Sequence, residues 1–333
     1  MIAAFVVGTT ATGRIDGLSA AGASPAVMRH TPAADAEIVT YGRPVFAPSV
    51  PVSPEGCPTP SLVTRAALDR LSVETMVLDA GLATRTAAPT VEVGVSPGDD
   101  LRAERPVPNA DAAFEAGARV GRAITHDEML VAESIPGGTT TAMGVLTALG
   151  EPNGVSSSLP ENPLERKRSV VDAGLAASEV GPGELAGQPI EAVERMGDPV
   201  LATIAGLVTG AAAEGVAVTL AGGSQMVAAA ALARHGGVDA PLSIATTAFV
   251  EWDDSFDLHG AADALDLSTR VTDPGFEAVD HVAFERYRLG EAKEGVGMGG
   301  ALWLADREGV PMAAVRDRIV DYYDRLVGED GPR

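Results

Sequence analysis

Glu128-Met129-Leu130-Val131-Ala132-Glu133-Ser134-Ile135-Pro136-Gly137-Gly138-Thr139-Thr140-Thr141 reads as a buried strand, a glycine turn and the start of a helix. A short apolar run bounded by turn residues predicts a strand over Glu128 to Ala132. The periodicity beyond it predicts a helix from Thr139 to Leu149. The same alternation recurs along the chain. Further strands are predicted at Ile2 to Val7, Thr75 to Leu78, Val216 to Leu220 and Leu242 to Val250. Helices are predicted at Ser61 to Leu71, Ala110 to Gly121, Pro163 to Ala177, Pro199 to Ala213, Gln225 to His235 and Pro311 to Val327. Strands separated by helices pair in parallel, because the helix supplies the crossover. The expected fold class is therefore α/β, a Rossmann-like parallel sheet flanked by helices, with a smaller helical part.

The Pro-, Gly- and Asp-rich span from Ala88 to Asn109 reads as a long surface connection. It divides an N-terminal α/β part, residues 1–105, from a core of residues 106–333 that carries the C-terminal helix; one continuous domain is the alternative. Met312, Val315, Ile319, Tyr322, Tyr323 and Leu326 form one stripe of that last helix, which packs on the body or on a second subunit.

The 333 residues suffice for a core that needs neither disulfide nor metal. A net charge of -22 argues against nucleic acid and against an anionic membrane face, both of which demand clustered positive potential. Lys167 and Lys293 are the only lysines, acids and alanine are plentiful, and aromatics make up 4%. This is the composition of a protein from a salt-rich cytoplasm, where a Debye length of roughly 3 Å at molar salt screens surface repulsion. The lone Cys57 can form no internal disulfide and fits a reducing compartment as an inert thiol. Met1 to Gly8 has no basic region and is too short for a signal peptide or a membrane span. A cytoplasmic protein is expected.

Chemistry-bearing residues gather in two glycine-rich segments. Glu133 to Thr141 lies at the carboxyl end of a predicted strand, where α/β proteins bind ligands. Helix N-terminal amides, Gly137, Gly138 and the hydroxyls of Thr139, Thr140 and Thr141 suit a phosphate cradle, although ordinary capping would use the same residues. No Gly-Lys-Ser/Thr follows, so it is not a Walker loop. Lys167 shares a helix face with Leu164, Val171 and Gly174. Such a lysine either snorkels to water or meets a bound anion. The second segment is Lys293-Glu294-Gly295-Val296-Gly297-Met298-Gly299-Gly300. Glu294 there either charges a helix start, and is then solvated, or faces a cleft as a general base with a perturbed pKa.

Other segments carry less. Gly8 to Gly13 lacks the helix of a dinucleotide fingerprint, and Gly222-Gly223-Ser224-Gln225 lacks the second glycine of a nucleophile elbow. The five histidines have no metal-ligand spacing, so no metal is expected. Asp253-Asp254 after a buried run is an acid pair of the kind that grips the ribose of phosphoribosyl pyrophosphate, but Ser255-Phe256-Asp257 follows instead of a phosphate loop.

Taken together, these segments resemble the nicotinate-nucleotide–dimethylbenzimidazole phosphoribosyltransferase family, in its archaeal branch. Glu133 to Thr141 looks like its Gly-Glu-x-Gly-x-Gly-Asn-Thr-Thr loop, and Leu164-Glu165-Arg166-Lys167-Arg168 is similar to its Ala-Arg-Lys segment. Gly197-Asp198-Pro199 through Gly210 resembles its Gly-Gly-x-Glu-Ile-Ala helix. Leu220-Ala221-Gly222-Gly223 falls at its Leu-Asp-Gly-Phe, and Glu294-Gly295-Val296-Gly297 at its Glu-Gly-Thr-Gly. Thr31 to Glu37 and Pro58 to Arg65 look like the archaeal branch specifically. Pro136 removes one potential amide donor from the loop. Ala221 stands where the family has an acid, and the bacterial Lys-Pro-Pro-x-Gly-Ser-Leu-Gly segment is missing.

The resemblance implies transfer of phosphoribosyl from nicotinate mononucleotide to a cobamide lower-ligand base, dimethylbenzimidazole or similar, with release of nicotinate. Glu294 would be the base. Glu133, Gly137, Gly138, Thr139, Thr140, Lys167, Gly222, Gly223, Gly295 and Gly297 would hold the nucleotide and its phosphate. The N-terminal part would contribute to the base site. No cofactor is implied, the partners are the two small molecules, and the resemblance implies a homodimer. Two other readings stand beside it: a non-catalytic nicotinate mononucleotide-binding protein, and a phosphoribosyl-pyrophosphate-dependent transferase using Asp253 and Asp254.

Overall fold

Seven short apolar segments become the strands of a single sheet in the computed structural model, which describes residues 1–22 and 24–328. They are β1 (Ile2–Val7), β2 (Glu74–Asp79), β3 (Thr90–Glu92), β4 (Glu128–Ser134), β5 (Ala217–Ala221), β6 (Leu242–Thr247) and β7 (Leu267–Thr272). All pair in parallel, in the order β3-β2-β1-β4-β5-β6-β7. The chain therefore runs outward from β1 to one edge, returns to the middle at β4, and runs outward again to the other edge. Loops leaving β1 and β4 diverge at that reversal, which opens the crevice where doubly wound sheets hold ligands. The Rossmann-like expectation is met. The pairing of β1 with β4 carries the sheet across residue 105, and the last five residues of the expected C-terminal span lie outside the described residues.

Helices cover both faces. One layer is built on Ala110–Arg122, Gly138–Leu149, Leu164–Ser178, Pro199–Ala213 and Ser224–His235; the other on Thr31–Tyr41, Ser61–Leu68, Met298–Arg307 and Met312–Leu326. β1 explains why both layers are needed: all six of its residues are buried, with Ala4 and Val6 in one core and Ala3, Phe5 and Val7 in the other. The final helix packs Val315, Ile319, Tyr322 and Tyr323 onto the second layer, so its apolar stripe serves the body of the chain. Among the described residues, no helix is long and apolar enough to cross a membrane.

Several elements differ from the sequence reading. β6 ends at Thr247, and Ala248–Glu251 turns into a short helix rather than continuing to Val250. The pairing with β7 stops at Thr247, whose amide and hydroxyl turn to Glu294 and Lys293. β3 and β7 were not expected. β3 is three residues long inside the Pro- and Gly-rich span, and β7 is an edge strand whose Ser268, Thr269 and Arg270 are not buried. The Thr31–Tyr41 helix also escapes a periodicity search, because its residues Thr31 to Val39 are buried on every side and leave no polar face.

The tightest contact in the first layer rests on glycines. Gly117 and Gly121 of one helix face Gly206 and Gly210 of its neighbour, and an added Cβ on Gly117 or Gly206 would lie 2.1 or 2.0 Å from a backbone oxygen across the gap. Gly206→Ala gains about 1 kcal/mol of helix propensity but forces the two backbones apart, an overpacking cost of about 1–3 kcal/mol or more. A lower thermal midpoint is expected; an unchanged or raised one would show that the pair tolerates separation.

Candidate active site

The loop leaving β4 enters the Gly138–Leu149 helix through Gly137, whose φ is +86°. A side chain is excluded there twice over: the backbone is left-handed, and a Cβ would lie 2.6 Å from the Gly13 Cα in the loop after β1. At Gly138 a Cβ would lie 2.0 Å from the Gln225 amide nitrogen. Among the described residues, the Gly138 and Thr140 amides close turns onto the Ile135 and Gly137 carbonyls at 3.2 and 3.0 Å. The Gly137 and Thr139 amides remain as donors at a helix N-terminus, the arrangement that binds anions.

This turn lines a cavity, and Glu294 enters it from a strained loop. Ala292, Gly295, Val296 and Gly297 have φ values of +47°, +143°, +52° and +71°. For the β-branched Val296 this conformation is costly and persists only where its surroundings enforce it. They do so through two bonds: the Val296 amide donates to the Glu133 carbonyl at 3.0 Å, and the Thr64 hydroxyl donates to the Val296 carbonyl at 2.9 Å. The strain thus fixes where Glu294 sits.

Four donors surround the partly buried Glu294 carboxylate. Oε1 accepts from the Gly295 and Gly299 amides at 3.1 and 3.0 Å; Oε2 accepts from the Thr246 hydroxyl and the Thr247 amide, both at 3.1 Å, and shares the Gly299 amide at 3.2 Å. Burial raises its pKa to about 7 against the lowering pull of these bonds. A carboxyl near 7 suits a general base at neutral pH. The Thr246 hydroxyl is the one donor of the four that can rotate away or accept a proton itself.

Glu133, the last buried carboxylate of β4 before the glycine turn, lines the cavity with Glu294 and Asp35. Burial, then Asp198, and to a smaller extent Glu294 and Asp35, raise it to about 8. Asp198 caps the Pro199–Ala213 helix through the Leu201 amide at 2.9 Å and is itself raised to about 6 by burial. Asp35 accepts from the Thr59 hydroxyl at 2.6 Å and the Ser134 hydroxyl at 2.7 Å, so it ties the helical N-terminal segment to the end of β4. Glu37, also without a role in the sequence reading, is a strut: its carboxylate accepts the amides of Val45, Phe46, Ala47 and Ala87. Cys57 is buried at the cavity wall, and burial pushes its thiol up, which makes it a poor nucleophile.

The cavity thus gathers Glu294, Glu133, Gly137, Gly138, Thr139, Gly223 and Gly295. Four expected site residues stand behind its wall. Thr140 is buried with an unpartnered hydroxyl, Gly222 donates its amide to Ala245 at the end of β6, and Gly297 caps the Met298–Arg307 helix. Lys167 is fully buried and donates to the Ser156 carbonyl at 2.7 Å, with burial lowering its pKa to about 7. Lys293 donates to the Ser157 and Leu159 carbonyls at 3.2 and 3.0 Å and lies 3.4 Å from Asp253. The chain's two lysines therefore converge beneath one wall of serines, Ser156 to Ser158, which faces the cavity. Their scarcity in the sequence was the available sign that Lys293 belonged with Lys167. Asp253 accepts from the Ser156 and Ser255 hydroxyls at 2.6 and 2.5 Å in addition to its ion pair, so it braces this wall. Gln225, whose side-chain nitrogen is buried without a partner beside Gly138, was missed because a glutamine at a helix start carries no sequence signal.

Glu133 gives a test of this electrostatic arrangement. Its folded pKa of about 8 exceeds the 4.5 of a free glutamate, so the folded state holds a proton that the unfolded state has lost. Stability then falls as pH rises from 4.5 toward 8. Glu133→Gln removes that dependence. Its melting temperature relative to the parent should rise steadily across this window, and a pH-independent difference would mean that Glu133 ionises normally.

Comparison with known proteins places the chain. A family model described as phosphoribosyltransferase matches residues 66–240. A UPF0284 protein of Halobacterium salinarum is 56% identical over 324 residues, covering 97% of each chain. One from Methanothermobacter thermautotrophicus is 42% identical over 96% of this chain and 92% of its own. Among solved structures, the nicotinate-nucleotide-dimethylbenzimidazole phosphoribosyltransferase of Thermus thermophilus shares the fold, with a TM-score of 0.60 at 20% identity over 98% of this chain and 84% of that one. The glycine turn after β4 and the strained glutamate loop facing it are thus features of a chain that belongs to the nicotinate-nucleotide–dimethylbenzimidazole phosphoribosyltransferase family.

Proposed function

We propose that this chain transfers the phosphoribosyl group of nicotinate mononucleotide to a ring nitrogen of an aromatic base, dimethylbenzimidazole or a relative, that becomes a cobamide lower ligand. The observation that carries this reading is one cavity lined by both the Glu294 carboxylate and the glycine turn of Gly137 to Thr139. Membership of a phosphoribosyltransferase family supports it. In this reading the Gly137 and Thr139 amides and the Gln225 amide nitrogen hold the phosphate. Lys293 contributes positive potential from behind the serine wall, and Lys167 adds to it when protonated. The enzyme works on small molecules alone, as a cytoplasmic homodimer.

The bond from the anomeric carbon to the pyridinium nitrogen breaks and its electron pair stays with nicotinate, whose ring loses its positive charge. The lone pair of one base nitrogen forms the new bond, and Glu294 takes the proton from the other. A carboxylate facing a sugar that gains positive charge also stabilises it electrostatically. Once protonated, Glu294 needs one of its donors to release it, and the Thr246 hydroxyl is the one able to turn.

Glu294→Gln should retain nicotinate mononucleotide binding and lower base-dependent nicotinate release by at least about a hundredfold; unchanged turnover would remove Glu294 from the mechanism. Binding without base-dependent release in the parent chain would favour a non-catalytic nucleotide-binding protein. That reading draws on the four donors that already engage the carboxylate. A strict requirement for magnesium and phosphoribosyl pyrophosphate would favour the third.

The acid limb of the turnover profile should have its midpoint near the Glu294 pKa of about 7. The Thr246 hydroxyl bonds to the charged form and lowers that pKa. Thr246→Val should therefore move the acid limb to higher pH. A limb that stays in place would show that this hydroxyl does not tune the base.

A further inference from the structure

We infer that the cavity between the Tyr41–Val50 loop and the Met312–Leu326 helix is a second anion site, which takes a small molecule carrying multiple phosphate charges. It encloses about 630 Å³ and shares no lining residue with the Glu294 cavity. Four arginines line it, Arg43, Arg65, Arg318 and Arg325, in a chain whose net charge is -22. Like charges gathered in one hollow repel one another, and the carboxylates nearby do not balance them.

Asp69 serves two of the four. Its Oδ1 lies 2.7 Å from Arg65 Nε, and its Oδ2 lies 2.7 Å from Arg318 Nη2 and accepts the Tyr322 hydroxyl at 2.6 Å. Asp321, largely exposed, stands 3.7 Å from Arg318 Nη1. Among the described residues, Arg43 and Arg325 have no carboxylate partner. The four guanidiniums pair with only two carboxylates, Asp69 and the exposed Asp321, while Glu37 beneath the loop is taken up by the Val45, Phe46 and Ala47 amides, so the hollow keeps a net positive charge.

Three of the guanidiniums are also held in place. Arg318 and Arg325 lie over the Tyr322 ring, with their Cζ atoms 4.4 and 4.8 Å from its centroid. The hydroxyl bond to Asp69 fixes that ring in turn. Arg65 is anchored by the Val39 and Thr40 carbonyls at 2.7 and 3.0 Å. Planar guanidiniums with spare donors match phosphate oxygens two at a time, and four of them around one hollow call for an anion with more than one negative charge.

Isothermal titration calorimetry of the full chain in molar potassium chloride, where its surface repulsion is screened, with inorganic pyrophosphate or ATP as titrant, tests this. Saturating nicotinate mononucleotide is included so that uptake at the Glu294 cavity is competed away. One saturable site is expected. Arg43→Ala with Arg325→Ala should weaken it at least about tenfold, as expected for lost charge-assisted bonds, at an unchanged melting temperature. Both residues are exposed; Arg43 has no polar partner among the described residues, and Arg325 gives up only its solvent-facing stack on Tyr322. Equal affinity for the two titrants assigns the site to phosphate itself, and tighter ATP binding extends it to a nucleoside. Equal binding by parent and double variant would overturn the inference whether or not the mononucleotide competes. So would a dimer that the double variant dissolves without any anion uptake by the parent, since the cavity would then hold another copy of the chain.

Discussion

The hydrogen bond from the Val296 amide to the Glu133 carbonyl joins the two halves of the candidate site. On one side is the end of β4, fixed by its place at the middle of a seven-stranded sheet. On the other is a loop with four positive φ values that no local preference would select. The bond, with Thr64 beneath it, converts that loop into a rigid support and sets Glu294 beside the glycine turn that leaves the same strand. Gly299 completes the support. Any Cβ there would lie 2.5 Å from the Glu294 carboxylate and 2.3 Å from Thr246, so the amide can approach both oxygens only because the residue is glycine.

The electrostatics follow from burial inside this frame. Glu133, Asp198, Asp35 and Glu294 are all raised above the usual carboxylate range, with burial as the first cause in each. Such a group weakens the fold at neutral pH, and sites that hold protons at working pH accept that loss for function. The positive counterweight is placed out of direct reach. Lys167 and Lys293 bond to main-chain carbonyls of the serine wall instead of entering the cavity, so their charge acts through a fixed surface of hydroxyls and amides. The acidic exterior and this basic underside are separate matters, because the total charge is carried by solvated side chains and the site by buried ones.

Much of the architecture was legible in residues 128–141, where strand, turn and helix follow one another with the boundaries that the structure shows to within a residue or two. Buried parallel strands announce themselves as apolar runs, and amphipathic crossover helices as periodic ones. Elements at the edges or wholly inside did not. β7 alternates with solvent-facing polar residues, and Thr31–Tyr41 has no exposed face to give it a period. In the candidate site, Gly137 and Gly295 were readable because their positive φ restricts the residue types allowed, and Glu294 because it is a carboxylate embedded among glycines. Gln225 and Asp35 were not, since their meaning comes from Gly138, Thr59 and Ser134, residues distant in sequence that only the fold brings close. Lys167 was rightly marked as a lysine in need of a reason, but its helix geometry could not show that the Ser156 carbonyl, rather than the cavity, takes its ammonium.

The central claim is that one cavity holds the sugar phosphate at the glycine turn while Glu294 reaches the incoming base. A crystal structure of the chain with nicotinate mononucleotide and dimethylbenzimidazole tests it most directly. The account predicts the phosphate within hydrogen-bonding distance, about 3 Å, of the Gly137 and Thr139 amides and of Gln225, and the base with a ring nitrogen equally close to Glu294. A phosphate bound away from the glycine turn, or a base seated where no ring nitrogen meets Glu294, would contradict it.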